Sequence, residues 1–278
     1  MVRPVSSGTI AVRCNISYMS APPLLSFRNI TVMRGSRRVL DRFSLDIGSG
    51  ENVAIIGPNG CGKSTLIKTI SRELYPLSTD GASVRLMGQD RWNIFDLRSH
   101  LGLVSNDLMA SHTRDFTGRE AILSGFFGSV GIWPHHVVTP AMHSRVNEVI
   151  ELLEIEDLAD RCVSEMSSGE AKRTLIARAL IHRPSALLLD EPTNSLDLRA
   201  LQELRDVLRK LVRAGTSLVL VTHHLPDIIP EIRRVILLRK GEVFADGLKE
   251  DVLSGEVLSA VFGIRMEVIE RHGYYHLL

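Results

Sequence analysis

Gly57-Pro58-Asn59-Gly60-Cys61-Gly62-Lys63-Ser64-Thr65 reads G-x-x-x-x-G-K-[ST], the spacing of a phosphate-binding loop. Ahead of it, Asn52-Val53-Ala54-Ile55-Ile56 is short and apolar enough for a buried strand. Behind it, Lys63 to Leu74 puts Leu66, Ile67, Ile70 and Leu74 on one helical face. The loop therefore lies between a strand and a helix N-terminus, the context its chemistry needs. Glycines at 57, 60 and 62 let successive backbone N–H groups turn inward as a nest for anionic oxygens. The helix behind adds orphan N–H groups and the positive end of its dipole. Lys63 brings a charge to the β- and γ-phosphates of a nucleotide. The Ser64 hydroxyl is placed to ligate Mg²⁺ bridging those phosphates.

Upstream, Leu24 to Leu45 carries apolar and β-branched residues broken by Arg34-Gly35-Ser36-Arg37, which predicts an antiparallel hairpin. Downstream, Ser83 to Met87 and Leu101 to Val104 read as short strands, the second ending at Ser105-Asn106. Ala186-Leu187-Leu188-Leu189-Asp190-Glu191 is a buried strand with two carboxylates at its C-terminal end. Beside a phosphate loop, Asp190 would hold Mg²⁺ through water and Glu191 would polarise the attacking water. Leu198, Leu201, Leu204, Leu208 and Leu211 mark an amphipathic helix that stops near Gly215. Ser217 to Val221 is the next buried strand and ends at Thr222-His223-His224, where a histidine can donate a hydrogen bond to the γ-phosphate. Val235–Leu238 and Val243–Ala245, joined at Lys240-Gly241, form a closing hairpin. Strands alternating with helices predict a parallel sheet covered by helices.

Composition shifts at 107–165. Val146, Val149, Ile150 and Leu153 share a helical face, and Phe116, Phe126, Phe127, Ile132 and Trp133 gather just ahead of it. Two readings stand: a local helical core with ordinary aromatic filling, or a docking surface for another protein, with Phe116, Phe126, Phe127 and Trp133 as anchors. After Ser164-Glu165-Met166-Ser167-Ser168-Gly169-Glu170 a helix follows, with Leu175, Ile176, Ala179 and Leu180 on one face, ended by Pro184.

Whole-chain properties bound these readings. The 278 residues suffice for one large α/β domain or two small ones, and for a real core. A net charge of +1 with 23% charged residues leaves no electrostatic footprint for nucleic acid. Cys14, Cys61 and Cys162 are few and far apart, with no disulfide frame, as in a reducing compartment. No apolar run approaches the roughly 18 residues that span a bilayer, so any membrane role goes through a partner. Residues 1–40 hold arginines and no acid, and Met19 offers a second start, so the segment before it is expected to be dispensable. His135, His136 and His143 do not suggest a metal site, because adjacent histidines point apart.

In their order and spacing these motifs resemble the ATP-binding-cassette family, from Leu24 to about Gly263. Ser167-Ser168-Gly169-Glu170 resembles the family signature, Leu187 to Glu191 its second acidic motif, Asn194-Ser195-Leu196-Asp197 its dimer-contact loop, and His223 its switch histidine. The resemblance implies a P-loop NTPase core with an antiparallel β subdomain and a helical subdomain inserted at about 107–165. Residues 1–23 would be an N-terminal extension and 264–278 a tail. It implies ATP held with Mg²⁺ by Gly57 to Thr65, with Ser64, Asp190 and Asn106 toward the metal and Lys63, Glu191 and His223 acting in hydrolysis. Two copies would pair head to tail, Ser167 to Glu170 of one facing the ATP of the other and Asp197 in the dimer contact. The chain departs from the pattern at Asn106, where the family carries Gln, at Ser168 ahead of Gly169, and at Arg34, where an aromatic would stack on adenine. Arg34 can lie flat on a purine ring instead.

The closing segment is similar to the ATPase subunits of bacterial importers of the molybdate, iron-chelate or vitamin type. Such a subunit would serve transmembrane permease subunits and a substrate-binding protein from the cytoplasmic face of the membrane, with no direct nucleic acid. The alternative is a soluble cassette ATPase acting on protein or nucleic-acid partners. Those usually carry two cassettes or a coiled-coil insertion, and this chain has neither. A module without hydrolysis is disfavoured by Glu191 and His223.

Overall fold

The computed structural model describes residues 22–105 and 116–278. The metal ligand expected at Asn106 and the extension through Ala21 lie outside the described residues. Strands β1 (Leu25–Arg34) and β2 (Arg37–Ile47) form the predicted hairpin, with Arg34 paired to Arg37. Next come β3 (Val53–Ile56), helix α1 (Lys63–Ile70) and β4 (Ser83–Leu86), which joins the free edge of β1. Helix α2 (Ile94–His100) leads into β5 (Leu101–Val104). Helices α3 (Gly118–Leu123) and α4 (Pro140–Leu153) fall in the 107–165 stretch, and α5 (Ser168–Ala179) follows it. Then β6 (Ala186–Asp190), α6 (Leu198–Arg213), β7 (Ser217–Thr222), β8 (Arg234–Arg239) and β9 (Glu242–Leu248) complete the main sheet. The chain closes with α7 (Lys249–Val252), α8 (Gly255–Phe262), β10 (Val268–Arg271) and β11 (Tyr274–Leu277).

The main sheet runs β5-β6-β7-β3-β8-β9, parallel except for β9 against β8. Its central strands are near-continuous apolar runs because both faces are covered. Alternation then feeds two cores. Val53, Ile55, Leu188, Val219, Val221 and Ile236 face one, with α1 and the β2-β1-β4 sheet, where Phe27 meets Phe43 edge-on at 5.9 Å. Ala54, Ile56, Leu187, Leu189, Leu218, Leu220 and Leu237 face the other, together with Val146, Val149, Ile150 and Leu153 of α4 and Leu204, Leu208 and Leu211 of α6.

In four places the structure goes beyond or differs from the sequence reading. The helix after the phosphate loop ends at Ile70, before Leu74, because Arg72 turns left-handed at φ 63°, although Leu74 still packs on the core. Helix α2 was not expected; it is short and started by a capping box between Asn93 and Asp96. Within the 264–278 tail, β10 and β11 pair as an antiparallel hairpin. The aromatic stretch is mostly local packing: Phe116 is buried, Phe126 packs on the core and meets His182 edge-on at 5.4 Å, and Phe127 stacks on His136 at 4.1 Å. Trp133 remains 39% exposed.

The closing hairpin is anchored by Tyr275, which is buried against the core with the Lys249 ammonium 5.9 Å from its ring centre. Tyr275→Ala is expected to cost on the order of 2 kcal/mol, as a lost buried aromatic contact does. Denaturant unfolding checks this; wild-type stability in the variant would mean the hairpin is an appendage.

Candidate functional site

Open parallel sheets place ligands beyond the C-terminal ends of their strands. Here the ends are level: Ile56 of β3 pairs with Thr222 of β7, and Asp190 of β6 pairs with Val221. The loop after β3, the carboxylates after β6 and the histidines after β7 therefore emerge along one edge.

The loop from Gly57 to Gly62 turns through left-handed backbone at Gly60 (φ 76°) and Gly62 (φ 117°). A Cβ at Gly62 would lie 2.8 Å from the Leu40 side chain, so only glycine lets the loop approach β2 this closely. Leu66 N–H then bonds the Gly62 carbonyl at 2.9 Å, starting α1, whose first-turn N–H groups have no partner within the helix. Lys63 is 6% exposed, and its Nζ donates to the carbonyls of Gly57 at 2.8 Å and Pro58 at 3.4 Å. Ser64 faces solvent while Thr65 is buried. Cys61 is also buried, and that burial pushes its thiol up from the ordinary range. A cleft of about 290 Å³ opens here, lined by Arg34, Arg37, Asn59, Gly60, Lys63, Ser64, Thr65 and Glu191 among others. No aromatic residue lines it among the described residues, and Arg34 and Arg37 of the β1–β2 hairpin supply part of its wall.

Glu191 holds a left-handed backbone, φ 45°, unusual for a residue with a side chain. Its N–H bonds the Val221 carbonyl at 2.7 Å. Its carboxylate meets three groups: Asn194 Nδ2 donates to Oε2 at 2.6 Å, His223 Nδ1 lies 3.0 Å from Oε1, and Lys63 Nζ lies 3.8 Å from Oε1. Burial raises the acid's pKa, but the bonds from Asn194 and His223 and the charges nearby outweigh it and hold the carboxyl below its usual range. Asp190 sits half-buried one residue earlier at the end of β6. Asn194 was visible in the sequence only as part of the loop before α6; nothing there showed that its amide clamps Glu191.

The four signature residues start α5 and line no part of this cleft. Ser167 is the N-cap: its Oγ accepts from Glu170 N–H at 3.3 Å, and Glu170 Oε2 accepts from Ser167 N–H at 2.7 Å. Arg161 also donates to Glu170 at 2.7 Å and pulls its carboxyl down to about 2. Glu170 is thus committed within its own chain. Ser168 Oγ donates to the Ser195 carbonyl at 2.8 Å. A Cβ on Gly169 would lie 2.6 Å from that of Ala200, so glycine lets α5 cross close to α6. Asp197 caps α6 by accepting from Ala200 N–H at 2.8 Å, and both Asp197 and Leu198 are exposed.

Among known proteins, the chain matches the family described as "ABC transporter" over residues 40–194. It is 33% identical over 261 residues to the hemin import ATP-binding protein HmuV of Nitrobacter winogradskyi, covering 90% of this chain and 92% of the relative. It is 30% identical over 234 residues to the spermidine/putrescine import ATP-binding protein PotA of Haemophilus influenzae, covering 83% of this chain but only 59% of that one. Among solved structures it resembles the dimeric, post-hydrolysis ATP-binding cassette MJ0796 bound to ADP and Pi, with a TM-score of 0.66 and 26% identity over 81% of this chain and 98% of that one.

Lys63→Ala is expected to remove nucleotide binding or turnover while the fold survives, since it deletes a lysine that lines the cleft and whose ammonium bonds carbonyls of its own loop rather than the apolar core. Nucleotide titration and thermal melting, read together, check this; normal turnover without Lys63 would refute the site.

Proposed function

The chain belongs to the ABC transporter family, and from that premise we propose that it is the ATP-binding, ATP-hydrolysing subunit of an importer, acting as a head-to-tail homodimer on transmembrane permease subunits. One observation carries the dimer. The cleft gathers Lys63, Ser64 and Glu191, whereas Ser167, Ser168 and Gly169, with the positive end of α5, line none of it. A site made from both needs two copies. Exposed Asp197 and Leu198, tied to the signature through Ser168 and Ser195, lie in the loop that such a contact would use.

In this reading the backbone from Gly57 to Thr65 cradles the phosphates. Lys63 exchanges the loop carbonyls of Gly57 and Pro58 for phosphate oxygens. Glu191 accepts the proton of the attacking water. His223, with Nδ1 against Glu191, turns its other ring nitrogen toward the γ-phosphate. Arg34 meets the base at the cleft wall. Mg²⁺ fits the donor chemistry: Ser64 and Asp190 offer hard oxygens, and no cluster of three ligating side chains forms an all-protein cage among the described residues. Bound there, the ion supplies charge neutralisation on the phosphates.

No helix among the described residues is long and apolar enough to cross a membrane. In this reading permease subunits supply the membrane path. We place the chain at the cytoplasmic face, against that permease. Matching HmuV over nearly its whole length, and PotA over little more than half, favours a short importer subunit of the HmuV kind over the longer PotA kind. A substrate-binding protein would complete the system.

Glu191→Gln is expected to trap an ATP-bound dimer, because the amide keeps the shape but accepts no proton. Size-exclusion chromatography with Mg-ATP should show twice the monomer mass. A variant that binds ATP yet stays monomeric at high concentration would contradict the head-to-tail arrangement.

A further inference from the structure

Asp227 is an acid that no step above employs, and it is only 4% exposed. It closes a short turn, Leu225–Asp227, just past the switch histidine. Its Oδ2 accepts two hydroxyl donors, Thr193 Oγ1 at 2.7 Å and Thr222 Oγ1 at 2.5 Å. Thr222 Oγ1 in turn accepts the His224 N–H at 3.0 Å. Thr193 follows Glu191 in the next turn of chain, and Thr222 immediately precedes His223. One carboxylate oxygen therefore ties together the two loops whose side chains, Glu191 and His223, meet at 3.0 Å.

The tie is braced from outside. Leu225, Ile228 and Ile229 are buried around the turn. Arg205 donates to the Pro226 carbonyl at 2.5 Å, and its guanidinium lies 5.0 Å from the ring centre of Tyr274 in the closing hairpin. Glu191 also needs restraint. A non-glycine residue in left-handed backbone costs on the order of 1–3 kcal/mol and persists only where its surroundings over-determine it. The Thr193–Asp227 bond fixes the chain just beyond that residue, as the Val221 carbonyl fixes its own N–H. Two charge-assisted bonds to one buried carboxylate are stronger than neutral bonds, and deleting the carboxylate leaves two hydroxyls without an acceptor.

We propose that Asp227 is a positioning residue for ATP hydrolysis, holding Glu191 and His223 in register so that the attacking water is activated. This rests on the roles given to Glu191 and His223 above. Asp227 touches neither nucleotide nor water; it acts through Thr193 and Thr222. Asparagine can present one oxygen to both hydroxyls and is the conservative replacement; alanine cannot.

The test measures kcat, ATP affinity and melting temperature for Asp227→Ala, Asp227→Asn and Thr193→Val, the last removing one donor without touching the carboxylate. Loosening a catalytic pair is expected to lower kcat about tenfold or more in Asp227→Ala, with ATP affinity unchanged. Asp227→Asn should recover most of the rate, and Thr193→Val should show a smaller loss of the same kind. In a Glu191→Gln background, Asp227→Ala should change the residual turnover by less than about twofold, since the aligned base is already gone. The proposal falls if ATP affinity and melting temperature drop along with kcat and asparagine rescues nothing. It falls equally if Asp227→Ala lowers the Glu191→Gln rate by the same factor as the wild-type rate. Full turnover in Glu191→Gln alone would instead overturn the reading of Glu191 beneath it.

Discussion

The level ending of three parallel strands is the constraint on which the site depends. Because Ile56 pairs with Thr222 and Asp190 with Val221, the phosphate loop, the acidic pair and the switch histidine leave the sheet along one edge. A slip of one residue in β6 would send Leu187 and Leu189 to the wrong core and move Glu191 away from Lys63. The core therefore sets the placement: the alternation that fills two apolar layers also fixes where the groups proposed for catalysis stand.

Around that edge the polar groups satisfy one another. Lys63 rests on the carbonyls of its own loop, Glu191 is held by Asn194 and His223, and Glu170 is held by Ser167 and Arg161. In the proposed reading a nucleotide displaces the Lys63 bonds, and charge-assisted bonds to phosphate replace them. The signature helix lies outside this arrangement, its cap closed and its first residues lining no part of the cleft. A partner's phosphates, and not its own, are the charges it can meet in the proposed dimer.

What could be read from the sequence was contiguous. The loop from Gly57 to Thr65, the strand ending in Asp190 and Glu191, and His223 after its apolar strand each carry strand context and chemistry within a few residues. The resemblance then put them in one family. Features built across the chain stayed hidden. Asp227 joins Thr193 and Thr222, and no periodicity marks an acid in a three-residue turn as their common acceptor. Asn194 looked like part of a contact loop. Helix α2 is too short to show a periodic face, and only its Asn93–Asp96 box announces it. The strands of the closing hairpin have four residues each, beneath the length at which alternation reads clearly. Phe126 and Phe127 read in the sequence as either core or docking anchors, and each stays half-buried with one histidine of this same chain against it, His182 and His136. Aromatic composition alone does not separate a docking surface from a small core.

The central claim is that the catalytic unit is a pair of these chains. The most direct measurement is ATP turnover per molecule as the protein is diluted, with mass measured at each concentration. A composite site predicts that turnover per molecule falls as pairs separate and tracks the fraction of protein able to pair. Constant turnover per molecule, down to concentrations where only single copies remain in the presence of ATP, would contradict the account.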